Sequence, residues 1–466
     1  MCIRDSSTTV AAHLCNLRTG EVLASAGMMN PQIRFGEDLM SRVSYVMMHP
    51  DGDAEMTKVI REAINELAEN VASKANRKLD EIVEVTFVGN PIMHHLLLGI
   101  NPIELGGAPF ALATDESVRI RARDLKLNLH TNTRCYVLPC IAGHVGADTA
   151  GMILSEAPHK REAITLLVDI GTNAEIVLGN KERLLAASSP TGPAFEGAQI
   201  TCGQRAAPGA IERVRIDQKT LEPKFKVIGC DLWSDEDEFS KQTKKSGITG
   251  ICGSGIIEVI AEMYLARIIT QDGVINGAIA EKSERIIKEG RTFSYILHDG
   301  EQKIHISQND VRAIQLAKAA LYAGIRLLME RLGIESIDRI RLAGAFGNHI
   351  EPKFAMILGL IPDCNLKQVS SAGNAAGTGA RIALLNHESR NEIEEVVRHV
   401  EKVETAVESN FQQHFVNAMA FPNKIDKFPK LAKIVQLPGN NMVFGGIWYI
   451  FWGFGYFLIF FGEGGG

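Results

Sequence analysis

The sequence predicts an α/β protein of two or three domains, and three observations carry this. Residues 54–78 repeat apolar side chains at helical spacing (Met56, Val59, Ile60, Ile64, Leu67, Val71) and lead to a buried strand over 82–88. A second alternation of strands and helices begins at Leu166-Leu167-Val168-Asp169-Ile170-Gly171-Thr172-Asn173-Ala174-Glu175-Ile176-Val177-Leu178, which reads as strand, tight glycine turn and strand. A chain of 466 residues is also too long for one hydrophobic core.

Composition narrows the class. Hydrophobic residues at 45% and charged residues at 22% fit a globular protein. A net charge of −6 argues against a nucleic-acid binder, whose footprint is basic. The eight cysteines form no CxxC pair, which suits free thiols in a reducing compartment.

In chain order, residues 1–6 carry neither a signal-peptide core nor a strand pattern and read as a foreign leader. Two apolar runs over 9–26 flank Arg18-Thr19-Gly20-Glu21, a hairpin signal. Residues 30–42 are a polar loop entering a helix; Gln32, Arg34 and Asp38 there face either a cleft or solvent. Gly89-Asn90 turns at a strand's carboxyl end, where open α/β sheets gather ligands, so Asn90 is a site candidate. His94 and His95 follow on an apolar helix and read as core or surface histidines.

A small-residue helix starts at 142–151. Its Asp148 orients an attacking water or holds metal, or, as a first-turn acid, merely favours the helix dipole. Glu196 stands alone in a Gly/Ala/Pro-rich loop over 188–209, a cleft position suited to ribose or metal. Cys202 and Cys252 read as small buried thiols, and 217–247 as a charged surface excursion. Val311, Ile314, Leu321, Ile325 and Leu328 mark a long helix ending at Gly333, and 389–407 a further one. Residues 442–461 hold no charge, a length that could span a bilayer. Four glycines inside the run and no Lys or Arg after it favour a non-native extension instead.

Glycine-rich turns supply the candidate chemistry. Asp169 follows a buried strand, a costly place unless a cation or donor array meets it. Gly171 lets backbone N–H groups approach an anion, and Thr172 and Asn173 add donors. Asp169 is then placed to hold Mg²⁺ through water beside phosphates. A plain β-turn with an Asx-type bond is the competing account. Thr249-Gly250-Ile251-Cys252-Gly253-Ser254-Gly255 opens onto a helix whose free N–H groups and dipole face an anion. Arg339-Ile340-Arg341-Leu342-Ala343-Gly344-Ala345-Phe346-Gly347-Asn348 is a strand ending in a glycine turn where a flat base can lie on backbone. Ser370-Ser371-Ala372-Gly373-Asn374-Ala375-Ala376-Gly377-Thr378-Gly379-Ala380 reads as a helix start that permits close helix–helix approach.

The order of these motifs resembles the acetate kinase/sugar kinase/Hsp70/actin superfamily. More narrowly it resembles the ATPase region of the reductive activators of corrinoid proteins. The narrower likeness rests on Asp169-Ile170-Gly171-Thr172-Asn173, Pro193-Ala194-Phe195-Glu196-Gly197-Ala198, Cys252-Gly253-Ser254-Gly255, Leu342-Ala343-Gly344-Ala345-Phe346-Gly347 and Ala418-Met419-Ala420-Phe421-Pro422. Asn30-Pro31-Gln32-Ile33-Arg34-Phe35-Gly36-Glu37-Asp38 and Val88-Gly89-Asn90-Pro91 extend it.

The resemblance implies a two-lobed ATPase with a nucleotide cleft between lobes at 7–160 and 161–388, a helical segment over 389–437 and a tail over 438–466. It implies ATP and Mg²⁺, with Asp169 and Asp148 catalytic and Asp169 at the metal. Thr8, Thr9, Gly171, Thr172, Asn173, Glu196, Gly253, Ser254, Gly255, Gly344, Ala345, Phe346 and Gly347 are the implied nucleotide contacts. The family's first loop reads Asp-x-Gly-Thr-Thr-Thr. Here Ser7-Thr8-Thr9 stand for the threonines, but Arg4 and Ser6 stand for the Asp and Gly. The first strand therefore reads as missing and the chain as a weak ATPase.

Family proteins carry a 2Fe–2S domain ahead of this region, and no cluster-binding cysteine set occurs here, so the chain reads as a fragment unable to bind that cluster. The implied partner is a corrinoid methyl-carrier protein in the cytoplasm, without nucleic acid or membrane, with homodimerisation left open. Reduction of Co(II) to Co(I) is steeply uphill, so a clamp that binds two states with different affinity can drive it. A small-molecule kinase of the same superfamily and a non-catalytic actin-like assembly module are the alternatives.

Overall fold

The computed structural model of the chain describes residues 1–347 and 349–438, and the apolar run 442–461 lies outside them. Two compact units result. Unit 1 holds Met1–Thr191, Ala323–His349 and Lys367–Phe411; unit 2 holds Gly192–Tyr322, Ile350–Leu366 and the chain from Gln412. These boundaries depart from a linear division at residue 160, because late strands return to pair with early ones.

Unit 1 begins with β1 (Cys2–Asp5), β2 (Thr9–Cys15), β3 (Val22–Met29), β4 (Glu84–Gly89), β5 (Val118–Arg121) and β6 (Arg134–Val137), in the sheet order β3-β2-β1-β4-β6-β5. Residues 2–5 are therefore an interior strand, which corrects the reading that the first strand is missing. β1 runs antiparallel to β2, with Asp5 opposite Val10, and parallel to β4, with Asp5 beside Gly89. The physical reason is backbone demand: β2 and β4 both present N–H and C=O groups to the slot, and Cys2 and Ile3 bury there.

The 30–42 stretch is more ordered than a polar loop. Pro31–Phe35 forms a 3₁₀ turn that buries Gln32, and Asp38 caps α1 (Leu39–Met48) by accepting the Ser41 N–H at 2.8 Å. Only Arg34 of the three polar candidates is exposed. Helix α2 (Gly52–Lys74) lays Met56, Ile60, Ile64, Leu67 and Val71 on the sheet core. Asn90 caps α3 (Pro91–Leu98), which buries both His94 and His95. Burial pushes the His94 imidazole down to about 3, so it packs as a neutral ring.

After α4 (Ala147–Glu156), the hairpins of β7 (Thr165–Ile170), β8 (Ala174–Gly179) and β9 (Leu184–Ser189) start the second sheet of unit 1. The chain then builds unit 2 from β10 (Ala210–Ile216), β11 (Pro223–Val227), α5 (Phe239–Gln242), β12 (Gly250–Ile251) and α6 (Gly253–Leu265). The charged excursion over 217–247 thus contains a strand and a short helix. A meander of β13 (Ile286–Glu289), β14 (Thr292–Asp299) and β15 (Lys303–Ser307) leads into α7 (Gln308–Leu332), which stops at the left-handed Gly333. Every residue of α6 is buried, including Glu258, whose carboxylate takes Arg213 at 2.7 Å and Arg215 at 2.6 Å.

The return into unit 1 adds β16 (Arg339–Ala343), followed by α8 (Gly344–Gly347). Helix α9 (Pro352–Leu358) belongs to unit 2. Then come β17 (Val369–Gly373), α10 (Ala375–Leu385), α11 (His387–His399) and β18 (Glu401–Lys402), completing the order β17-β16-β7-β8-β9-β18. Two expectations change here. Residues 369–373 are a strand, with the helix starting only at Ala375. The helix expected over 389–407 ends at His399, because β18 adds to the β9 edge. Short helices α12 (Phe411–Ala418) and α13 (Pro429–Ala432) follow. In unit 2 the fully buried Lys318 of α7 donates to the carbonyls of Ala420 and Pro422, pinning the Ala418–Pro422 motif.

Helices α4 and α10 join the two sheets of unit 1. One apolar cluster combines Val88 and Tyr136 of the first sheet, Leu167 and Val177 of the second, and Ala147, Ala150, Ala376 and Ala380 of the two helices. Thr86 Oγ1 of β4 donates to the Ala380 carbonyl at 2.8 Å. The helices cross backbone to backbone, since a Cβ at Gly379 would lie 1.9 Å from the Gly151 carbonyl oxygen. Gly379→Ala is therefore expected to lower unfolding stability by about 2 kcal/mol or more. Gly107→Ala, which meets nothing within 4 Å, should stay within about 0.5 kcal/mol of the parent. Urea denaturation of the two variants checks this, and equal midpoints would show that the crossing is slack.

Candidate functional site

The carboxyl ends of β1, β4, β7 and β16 converge in unit 1, and the polar residues there form one cluster. Arg4 on β1 of the first sheet meets Asp169 on β7 of the second, Nη2 to Oδ2, at 3.5 Å. Asp148 lies in the first turn of α4, and Glu175 sits on β8 directly opposite Asp169. Gly344 follows β16 with φ +81°, and a Cβ there would lie 2.2 Å from Asp169 Oδ1. No side chain fits between that turn and the carboxylate, which is the reason for glycine at 344.

Electrostatics describe the cluster as short of positive charge. Burial first, then the Asp169 carboxylate, push Asp148 up to about 6, and Arg4 only partly offsets this. Glu175 is raised well above the ordinary carboxylate range by burial and by Asp148 and Asp169. Asp5 is buried with neither carboxylate oxygen hydrogen-bonded, and burial pushes it up to about 8. Arg42, itself fully buried, faces Asp5 as a partial countercharge.

Two turns border the acids. Ser6 and Thr9 close the first, with the Thr9 N–H donating to Ser6 Oγ at 3.0 Å and Ser6 Oγ donating to the Thr9 carbonyl at 2.8 Å. The second is the hairpin turn Gly171-Thr172-Asn173, where the Gly171 N–H bonds the Asn173 carbonyl at 3.2 Å. Thr191 Oγ1 donates to the carbonyls of Gly171 at 2.8 Å and Thr172 at 3.1 Å, holding that turn from behind.

Residues 163–432 match the family described as the C-terminal domain of RACo, the ASKHA domain, and residues 6–161 match the RACo middle region. The chain belongs to the RACo family. It is 33% identical over 431 residues to the corrinoid activation enzyme RamQ of Eubacterium limosum, covering 90% of this chain and 70% of that protein. It is 26% identical over 362 residues to the Co(II) methylated-amine-specific corrinoid protein reductase of Methanosarcina barkeri, covering 73% of this chain and 63% of that protein. Among solved structures it is similar to a reductive activator for a corrinoid, iron–sulfur protein, with a TM-score of 0.77 at 33% identity. That match spans 90% of this chain and 65% of the other.

Against this family background, unit 1 brings together Asp148, Asp169, Gly171, Thr172, Asn173 and Gly344, and Ala345, Phe346 and Gly347 follow on the backbone of α8. Thr8 and Thr9 belong to the first turn of the same unit. Glu196 ends the 3₁₀ turn Pro193–Glu196 in unit 2, half-buried. Gly253, Ser254 and Gly255 open α6 of unit 2, whose first residue has no side-chain cap from Cys252, leaving N–H groups at that terminus.

Sequence reasoning passed over Arg4, Asp5, Arg42 and Glu175 as site residues. Glu175 carried a local signal, being the one charge in the otherwise apolar β8. Arg4 stood out only as a departure from the family's first loop, and Asp5 and Arg42 carried no local signal, because strand pairing places the first and the packing of α1 the second.

Among the described residues no group of three or more His, Cys, Asp or Glu side chains is close enough to ligate a metal directly, and all eight cysteines are free thiols. No helix of the described residues is long and apolar enough to cross a membrane.

The Asp5 carboxyl makes a pH prediction. Its folded value of about 8 exceeds its unfolded value of 3.8, so the folded state holds the proton more tightly between them. Stability contributed by the protonated form is complete below 3.8 and falls as pH rises through 8. Asp5→Asn should flatten the loss of thermal midpoint between pH 6 and pH 9, measured by circular dichroism. A parallel decline in both proteins would remove Asp5 from the pH dependence.

Proposed function

We propose that this chain is the ATPase portion of a reductive activator. On this reading it couples ATP hydrolysis to reduction of a corrinoid methyl-carrier protein from Co(II) to Co(I). The observation that carries the reading is the meeting of both phosphate-type turns with the Asp148–Asp169–Glu175 acids, in a chain of the RACo family. A corrinoid protein is the partner because one relative is named for corrinoid activation and another as a corrinoid protein reductase. The chain spans between 63% and 70% of the length of the curated relatives it matches.

The residues suit Mg²⁺-ATP by charge. Three carboxylates, two of them pushed upward by burial and mutual repulsion, face one guanidinium, so added positive charge relieves the cluster. Direct ligation is not required, since Mg²⁺ keeps several waters and takes one or two carboxylates. Bound there, Mg²⁺ would neutralise charge on the β- and γ-phosphates. Asp169 would orient metal-bound water, and Asp148 would orient the attacking water, held by its own turn at the start of α4. The turns at Thr8–Thr9 and Gly171–Asn173 would receive phosphate oxygens. Gly253–Gly255, Glu196 and Gly344–Gly347 would serve the rest of the nucleotide. Arg4 is the member that opposes this, because its guanidinium already neutralises Asp169.

The test is ATP hydrolysis by the full chain with and without a Co(II) corrinoid methyl-carrier, with Ti(III) citrate supplying the electron and Co(I) followed by absorbance. Carrier-dependent Co(I) formation that requires ATP is expected, and Co(I) yields indifferent to ATP would sink the proposal. Asp169→Ala should lower Mg²⁺-dependent ATP turnover on the order of 10² or more. Arg4→Asp should raise turnover, because it removes the competing cation and returns the family's carboxylate. Turnover that falls in Arg4→Asp would show that the guanidinium assists catalysis.

A further inference from the structure

We propose that Asn30, Arg42 and Asn90 form a positioning brace that holds the 6–9 turn with its amides turned outward to receive an anion. This deepens the nucleotide reading above and rests on it. Three consecutive carbonyls of the turn are each tied from behind. Asn30 Nδ2 donates to the Ser6 carbonyl at 2.8 Å, Arg42 Nη2 to the Ser7 carbonyl at 2.5 Å, and the Asn30 N–H to the Thr8 carbonyl at 2.9 Å. Asn90 Nδ2 adds a bond to Ser7 Oγ at 2.8 Å.

A trans peptide points its C=O and N–H in opposite directions. Drawing the Ser6 and Ser7 carbonyls toward the brace therefore turns the Ser7 and Thr8 N–H groups away from it. Among the described residues those two amides meet no backbone acceptor, whereas the Thr9 N–H is taken by Ser6 Oγ. Successive outward amides beside Thr8 and Thr9 are the donor arrangement that binds phosphate oxygens.

The brace is rigid because its own groups are satisfied. Asn30, Gln32 and Arg42 are fully buried. Arg42 Nε donates to the Gly36 carbonyl at 3.0 Å and Nη1 to Gln32 Oε1 at 3.1 Å, while Gln32 Nε2 donates to the Met56 carbonyl at 2.8 Å. The fork shape matters, since Arg42 spreads these bonds over Nε, Nη1 and Nη2, whereas an ammonium must gather all its donors on one nitrogen. Gln32, which from sequence faced either a cleft or solvent, and Asn90, a site candidate at a strand's carboxyl end, act through the turn on this account.

The test uses the full chain with three substitutions. Asn90→Ser keeps a good N-cap for α3 while withdrawing the arm to Ser7. Arg42→Lys keeps the charge but loses the fork. Arg61→Lys is the control, because Arg61 donates to the Leu97 carbonyl away from the turn. Backbone order parameters of the Ser7 and Thr8 amides are read by ¹⁵N relaxation without nucleotide, and Mg²⁺-ATP affinity is read by calorimetry.

Asn90→Ser and Arg42→Lys should each lower these order parameters and weaken ATP by about fivefold, the equivalent of roughly one hydrogen bond. The control should match the parent, and thermal midpoints identify any variant that fails to fold. Unchanged order parameters in folded Asn90→Ser overturn the brace, as does weakened ATP binding without lowered order parameters. Lowered order parameters in the variants of a parent chain that binds no ATP would sustain the brace and sink the nucleotide reading.

Discussion

Unit 1 depends on two helices touching through bare backbone. Where α4 crosses α10, the Gly151 carbonyl occupies the space a Cβ on Gly379 would need. This approach lets one apolar cluster reach both six-stranded sheets through the small residues at 147, 150, 376 and 380. The carboxyl ends of β1 and β7 then come within an ion pair of each other. A bulkier seam would separate Arg4 from Asp169, and that carboxylate would lose the one arginine it meets among the described residues. Packing at the crossing and charge at the site are in this sense one constraint.

The price of the cluster is desolvation. Asp5, Asp148 and Glu175 are all pushed upward chiefly by burial, and like charges add to the effect on Asp148 and Glu175. A site built only for stability would pair such groups or omit them. Charges held short of neutrality at strand ends are instead the usual mark of a ligand that brings the missing sign. Arg4 fills part of that deficit from within the chain, through its ion pair with Asp169.

Unit 2 handles buried charge in the opposite way, by complete pairing. Glu258 accepts from Arg213, Arg215 and the Val214 N–H, which locks α6 against β10. Lys318 gives its ammonium to two carbonyls of the Ala420–Pro422 turn beneath the Phe421 ring. Burial lowers the Lys318 value well below that of a free lysine, and the paired carbonyls are what allow it to sit there. These groups fix the glycine-rich start of α6 and the C-terminal motif.

The sequence by itself determined every element whose signal is local. Apolar periodicity fixed α2 and α7, the alternation around Gly171 fixed the β7–β8 hairpin, and Gly253-Ser254-Gly255 marked the start of α6. Asp148 and Asp169 were legible as candidates because an acid beside an apolar strand or helix start is locally anomalous. Tertiary structure alone decided the rest. Residues 2–5 have no strand pattern of their own and become β1 because two neighbouring strands need a partner between them. Arg4, Asp5 and Arg42 have ordinary sequence surroundings. Their place at the site comes from pairing and burial across the chain, and neither periodicity nor composition records a contact between residues so far apart in sequence.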